Sequence, residues 1–295
     1  MPANVPVILL RRDGGPRIDA AVARVRTDLE ASGRLTVIGE GIAGTPLPNQ
    51  EEAELAIVLG GDGAILRACR QFGERQIPVV GVNLGRLGFL ADVQPDAFCG
   101  SLDALADGDY RVVEHLMYRA EVRRAGYEPE SFLGLNEVVV TSFDIGIAEI
   151  ELTIDGQTAA RYTADGLIVS TPIGSTAHSL SAGGPILRQD LPAFLVTPIC
   201  PHALTNRPLV DSAEGEYRLR LVRAQNAAAV IDGQLRRDMR PGDEVVVRKA
   251  SVAFRLIRLP GHDYYATLYR KLGWSGQPRY EGRKRNPVDP LDLGD

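Results

Sequence analysis

The stretch that most constrains this chain is Leu59-Gly60-Gly61-Asp62-Gly63-Ala64-Ile65-Leu66-Arg67, in which glycines bracket one aspartate. Before it, Glu54 to Leu59 reads as a short apolar strand of the kind buried on both faces of a parallel sheet. After it the residues favour a helix, with Ile65, Leu66 and Cys69 recurring on one face. Asp62 therefore stands at the carboxyl end of a strand, where open α/β sheets bind their ligands. Glycines in such a turn let the backbone approach a ligand and leave amide N–H groups free for phosphate oxygens. A carboxylate would repel a phosphate, so Asp62 needs a task beside it, such as deprotonating a hydroxyl or holding a metal ion. The plainer reading is a tight turn with Asp62 capping the helix.

The surrounding pattern is α/β in the first third. Val5 to Leu10, Leu35 to Ile38 and Ile77 to Val82 read as further strands, with a loop over Gly39 to Gln50. Ile18 to Ala31 reads as a helix closed by Gly33, and the second helix runs to about Phe72. Alternating strands and helices predict a doubly wound, largely parallel sheet. The turn Asn83-Leu84-Gly85-Arg86-Leu87-Gly88-Phe89-Leu90 then falls at a second strand end beside the first, which makes Asn83 and Gly85 candidates for ligand contact.

After about Leu105 the runs become short and β-type: Tyr110–Arg124, Phe132–Ser142, Ala148–Ile154, Gly166–Ser170, Tyr217–Val222, Ala228–Ile231 and Glu244–Lys249. The expected fold class is thus α/β plus all-β, with residues 1–105 forming an α/β domain and 106–261 an antiparallel, sandwich-like β domain. Tyr264 to Leu272 reads as a helix, residues 262–295 are expected to pack back on the first domain, and the tail from Gly276 reads as loosely ordered. A net charge of −5 over 295 residues supplies no basic field for nucleic acid. Lysine is confined to positions 249, 271 and 284, which leaves no Walker-type lysine in the first half. Cys69, Cys99 and Cys200 lack metal-ligand spacing and read as reduced thiols of a cytoplasmic protein, the four histidines form no zinc motif, and no run is long enough to span a membrane.

Three further features carry chemistry. Thr171 to Pro185 (TPIGSTAHSLSAGGP) packs hydroxyls and glycines behind a buried-looking strand, which favours an ordered ligand loop over a flexible linker. Asn136-Glu137 interrupts an otherwise apolar strand, Leu133 to Val140, so one of the pair faces a side the pattern would bury. A structural hydrogen bond explains that as well as a ligand does. Asp165 before Gly166, and Asp232-Gly233-Gln234, read on their own as turn and hairpin signals.

Taken in order, GGDG, NLGRLGFL, NEV, ADGLIVSTPIGSTAHSLSAGGPI, PICPHALTNRPLV and DGQ resemble the NAD kinase family from about Leu55 to Gln234. The resemblance implies phosphorylation of the 2′-hydroxyl on the adenosine ribose of NAD by ATP or polyphosphate, with Mg²⁺ accompanying the nucleotide, in a homodimer or homotetramer. It implies Asp62 as proton acceptor, with Gly63 beside it and the Gly60, Gly61 and Gly63 amides and Arg67 facing phosphates. Asn136 and Glu137 correspond to the pair holding ribose and adenine, and Asp165 to an aspartate on the nicotinamide side. Thr176, Ala177, His178, Ser179, Leu180 and Ser181 correspond to the segment lining the dinucleotide pocket, and Gln234 to a binding glutamine. His178 stands where the family usually has tyrosine, and Ile173 where it has threonine. A lipid or sugar kinase with a similar GGDG turn would not need the loop at 171–185, and a non-catalytic NAD(H) sensor would have no use for Asp62. A dehydrogenase fits less, since no GxGxxG turn follows the first strand.

Overall fold

The computed structural model describes residues 4–85, 88–91, 93–143, 147–261 and 263–273. In the first part, β1 (Val5–Arg11), α1 (Pro16–Ser32), β2 (Leu35–Ile42), β3 (Leu55–Gly60), α2 (Asp62–Phe72) and β4 (Val79–Asn83) follow in order. The strands pair in parallel, side by side as β2-β1-β3-β4. Because successive strand residues point to opposite faces, Val7 and Leu9 of β1 join a core with Val22, Val25 and Leu29 of α1. Ile8 and Leu10 join the other, with Ala64, Ile65 and Cys69 of α2. Gly33 ends α1 at φ 61, the left-handed cap its sequence position predicts. Helices α3 (Pro95–Cys99) and α4 (Leu102–Asp107) add Phe98, Leu102 and Leu105 to the α1 side, so the sheet is covered on both faces as expected. β2 runs on through residues expected to be loop, paired with β1 as far as Ile42.

The β-rich part contributes β5 (Arg111–Arg123), β6 (Glu130–Gly134), β7 (Glu137–Ser142), β8 (Ala148–Ile154), β9 (Gln157–Ala164) and β10 (Gly166–Ser170). A short α5 (His178–Ser181) follows, then β11 (Ala193–Ile199), β12 (Leu209–Ser212), β13 (Tyr217–Arg223), β14 (Ala227–Ile231), β15 (Leu235–Met239) and β16 (Glu244–Arg258). One antiparallel sheet runs β12-β11-β10-β7-β14-β15. It packs across an apolar layer, including Val138, Val140, Leu167, Phe194 and Tyr217, against β5, β8, β13 and the start of β16. That second layer is continuous with the parallel sheet, because β16 reaches past Lys249 to pair Leu256 with Val79 of β4. The sequence pattern ends this strand at Lys249, where the ladder with β5 slips: Lys249 faces Tyr118, and the next pair is Ala253 with Leu116.

The expected single strand over Phe132–Ser142 is instead two. β6 pairs with β5 in the mixed sheet, whereas β7 pairs with β10 and β14 in the other. The crossing falls at Leu135-Asn136, and the Asp232 carboxylate holds it. That carboxylate accepts the N–H groups of Leu135 at 3.1 Å, Asn136 at 2.8 Å and Glu137 at 3.2 Å, and the Tyr118 hydroxyl at 3.1 Å. Arg70 lies 3.2 Å from it, and the Asp232 side chain is fully buried. Asp232 also adopts a left-handed φ of 48 in the β14–β15 hairpin, the turn role its Asp-Gly sequence predicts.

Residues to Pro260 form one unit and 261–295 another. The second contains α6 (Tyr264–Leu272), capped by Asp263, which accepts the Tyr265 and Ala266 N–H groups at 2.8 and 3.2 Å. The tail from Gly276 lies outside the described residues. Among the described residues no helix is long and apolar enough to cross a membrane. Removing the Asp232 carboxylate strands several buried donors, so Asp232→Ala is expected to cost about 3–5 kcal/mol in urea unfolding. Asp232→Asn keeps one acceptor and tolerates the left-handed φ, and is expected to cost clearly less.

Candidate functional site

At the tip of β3, α2 starts with Gly61 as its N-cap, and no side chain caps it. Asp62 therefore does not cap its own helix. Its carboxylate faces the loop after β4, with Oδ2 accepting the Phe89 N–H at 2.8 Å and Oδ1 accepting those of Leu90 and Ala91, both at 3.0 Å. A carboxylate offers about four lone-pair directions, so among the described residues Oδ2 keeps one for another donor, and Asp62 is only half-buried. The approach is so close that a Cβ at Gly88 would overlap the carboxylate. The buried Asn83 secures the same loop: its Nδ2 donates to the Ala91 carbonyl at 3.0 Å, and its Oδ1 accepts the Gly85 N–H at 2.7 Å. Arg86 and Leu87 lie outside the described residues. Of the glycines in the turn, Gly60 packs against Ala64 and Arg12, whereas a Cβ at Gly61 would meet open space.

The β-rich half reaches this turn through Gln234. Its Nε2 donates to the Gly63 carbonyl at 3.0 Å, and its Oε1 accepts from Arg70, which also pairs with Asp232. Arg67, one turn along α2 from Gly63, stands 4.0 Å from Asp13, and its buried Nε has no partner among the described residues. With Arg70 and Arg119 it lines a cavity of about 600 Å³ that also touches Gly44 and Phe132.

On the other side of the Asp232 clamp, Asn136 and the glycine-serine loop meet. The Asn136 carbonyl accepts the Thr171 N–H at 2.9 Å, and a Cβ at Gly174 would overlap it. Ile173, where the resemblance expects threonine, is buried in the apolar cluster of Ile65, Leu90 and Leu135, and so pins the loop to the α2 side. Glu137 is 4% exposed, and its Oε2 has no partner among the described residues. Burial, and then the Asp232 charge, push its carboxyl up to about 8. At neutral pH it is a carboxylic acid, able to donate as well as accept.

The remaining sequence candidates divide. His178 and Ser181 are exposed, and Thr176, Ala177 and Leu180 are half-buried at the loop surface. The Ser179 hydroxyl is fully buried and spent on Thr197 Oγ1 at 2.8 Å, so it holds the loop to β11. Asp165 precedes β10 whereas Thr171 follows it, so the two stand roughly 17 Å or more apart along the strand. Within one chain Asp165 is exposed and is not brought to Glu137 and His178. Two site residues escaped the sequence reading: Gly88, visible only once Asp62 is known to face it, and Asp232, masked by its hairpin signal.

Comparison with known proteins matches residues 42–110 to the ATP-NAD kinase N-terminal domain and residues 135–259 to the ATP-NAD kinase C-terminal domain. An NAD kinase of Rhodopirellula baltica is 45% identical over 231 residues, 78% of this chain and 74% of that one. Among solved structures, an NAD kinase from Archaeoglobus fulgidus in complex with ATP superposes with a TM-score of 0.74 at 26% identity, over 92% of this chain and all of that one. Yeast NADH kinase complexed with NADH gives a TM-score of 0.85 at 23% identity, over 95% and 90% of the two chains, and establishes likeness of fold.

A carboxyl whose folded pKa of about 8 lies above its ordinary 4.5 stabilises the fold fully below the lower value, and that contribution is lost as pH rises through the upper one. Glu137→Gln copies the protonated acid and cannot titrate. Thermal melts between about pH 5 and 9 are expected to show a smaller fall in Tm for the variant than for the parent.

Proposed function

Because the chain belongs to the NAD kinase family, its reaction is phosphoryl transfer to NAD, and we propose that Asp62 accepts the proton of the attacking hydroxyl. The acceptor in this reading is the 2′-hydroxyl of the adenosine ribose, and the donor is the γ-phosphoryl of ATP. The observation that carries it is the fixed Asp62 carboxylate at the tip of β3, with one acceptor position left on Oδ2. As the ribose oxygen attacks phosphorus, its proton passes to Asp62 and the bond to the leaving nucleoside diphosphate breaks. The backbone donors of the 89–91 loop hold the carboxylate in place, so little reorganisation is left for the moment of reaction.

Arg67 supports a role at the donor phosphates, through a guanidinium whose Nε is without a partner beside the turn. Asn136, the protonated Glu137 and the surface of residues 176–181 face the adenosine end of NAD, where a buried acid can both give and take a hydrogen bond. Among the described residues no three His, Cys, Asp or Glu side chains converge as a metal cage. A divalent cation, Mg²⁺ in our reading, would accompany the nucleotide substrate and supply charge for its phosphates. We place the enzyme in the cytoplasm and read it as a homodimer or homotetramer, with Asp165 on the nicotinamide side of NAD.

Asp62→Asn is expected to retain NAD binding in calorimetric titration while turnover falls roughly 10²-fold or more, the scale of losing a general base. Turnover is read as NADP formation from ATP and NAD through a coupled dehydrogenase, and near-normal turnover would remove Asp62 from this role.

A further inference from the structure

The loop that grips Asp62 is itself gripped from behind. Arg258, the last residue of β16, is 5% exposed, and its guanidinium donates to the Phe89 carbonyl at 3.2 Å. That carbonyl belongs to the peptide unit whose N–H, on Leu90, donates to Asp62 Oδ1 at 3.0 Å. In a trans peptide the C=O and N–H point in opposite directions. One peptide plane thus stands between the guanidinium and the carboxylate, with a hydrogen bond at each end. The same arginine restrains the Phe89 side of the loop, while Asn83 restrains the Ala91 side through its carbonyl.

We propose that Arg258 is a positioning residue for Asp62, acting through the Phe89–Leu90 peptide. A cation on the carbonyl polarises the unit and strengthens its N–H as a donor, the cooperative effect of chained hydrogen bonds. It also fixes the plane's rotation, and with it the direction in which Asp62 presents its open lone pair. His115, buried across the ladder next to Phe254, adds no competing charge. Burial and then the guanidinium lower its pKa to about 3. The site of proton transfer is in this way tied to the end of a strand that begins in the β-rich half.

The inference rests on the reading of Asp62 as proton acceptor, and a double-mutant cycle separates the two. Steady-state kinetics with ATP and NAD are measured for the parent, Arg258→Met, Asp62→Asn and the double variant, each checked for folding by thermal melt. Arg258→Met is expected to lower kcat roughly tenfold or more while KM for NAD stays within about twofold. Arg258→Lys, which keeps a charged donor, is expected to recover part of the loss. In the Asp62→Asn background the same Arg258 change is expected to add less than about twofold, because the group it positions is gone. Should Arg258→Met not fold, Arg258→Gln takes its place in the cycle. Unchanged kcat, a loss confined to KM, or an equal loss with Asp62 already replaced would overturn the proposal. Near-normal turnover of Asp62→Asn alone would overturn the proton-acceptor reading instead.

Discussion

The carboxylate of Asp232 is the interaction on which the rest of this structure depends. Where β6 leaves one sheet and β7 enters the other, consecutive backbone N–H groups lose their ladder partners, and Asp232 supplies acceptors for three of them. A buried donor left without a partner is costly, so the crossing and the carboxylate require each other. The arrangement also sets what surrounds it. Asn136 and Glu137 are oriented by it, Arg70 is drawn to it from α2, and Gln234, two residues along, meets both Arg70 and Gly63. The negative charge of Asp232 is one reason that Glu137 stays protonated. A single side chain thus connects sheet topology, the contact between the two halves and the electrostatics of the candidate adenosine site.

The alternation of strands and helices up to Asn83 was legible because β1, β3 and β4 are apolar along nearly their whole length and α1 and α2 each bury apolar residues on one face, whereas β2, interrupted by Gly39, Glu40 and Gly41, was legible only as far as Ile38. The GGDG turn was legible for the same reason: its neighbours define a strand end, and a carboxylate is chemically out of place beside phosphates. What sequence reading missed depends on partners distant in the chain. Nothing within Leu133 to Val140 shows that its two ends belong to different sheets, since the acceptor that bends it lies about a hundred residues later. β9 (QTAARYTA) and β15 (LRRDM) are half-exposed edge strands whose polar residues come in runs, so neither shows a clean period of two. β12 is exposed along its whole length, so it offers no apolar period to detect.

The candidate site was legible in its residue types and less so in their tasks. Asp62 reads as a helix cap or a catalytic group from sequence; the structure removes the cap by giving its oxygens to the 89–91 loop, and the proton-acceptor role is our proposal. The hydroxyl-rich loop reads as ligand-facing, yet Ser175 and Thr176 donate to the carbonyls of Pro172 and Ile173 and Ser179 is paired with Thr197, so much of that polarity holds the loop in shape. A serine spent on its own scaffold and one offered to a ligand look identical in a sequence. Only the burial and the partner distinguish them.

The slipped ladder between β5 and β16 has a mechanical meaning. Both strands pass together from the parallel sheet into the sandwich, so the halves are joined by a paired ribbon and not by a single flexible tether. A ribbon resists shear and twisting but gives way at an irregularity, and here Ala250, Ser251 and Val252 form one. The β16 segment beyond it, with Phe254, Leu256 and Arg258, pairs with β5 and reaches β4, so it belongs to the parallel-sheet side of the ribbon, and the irregularity marks where that ribbon changes register between the two halves.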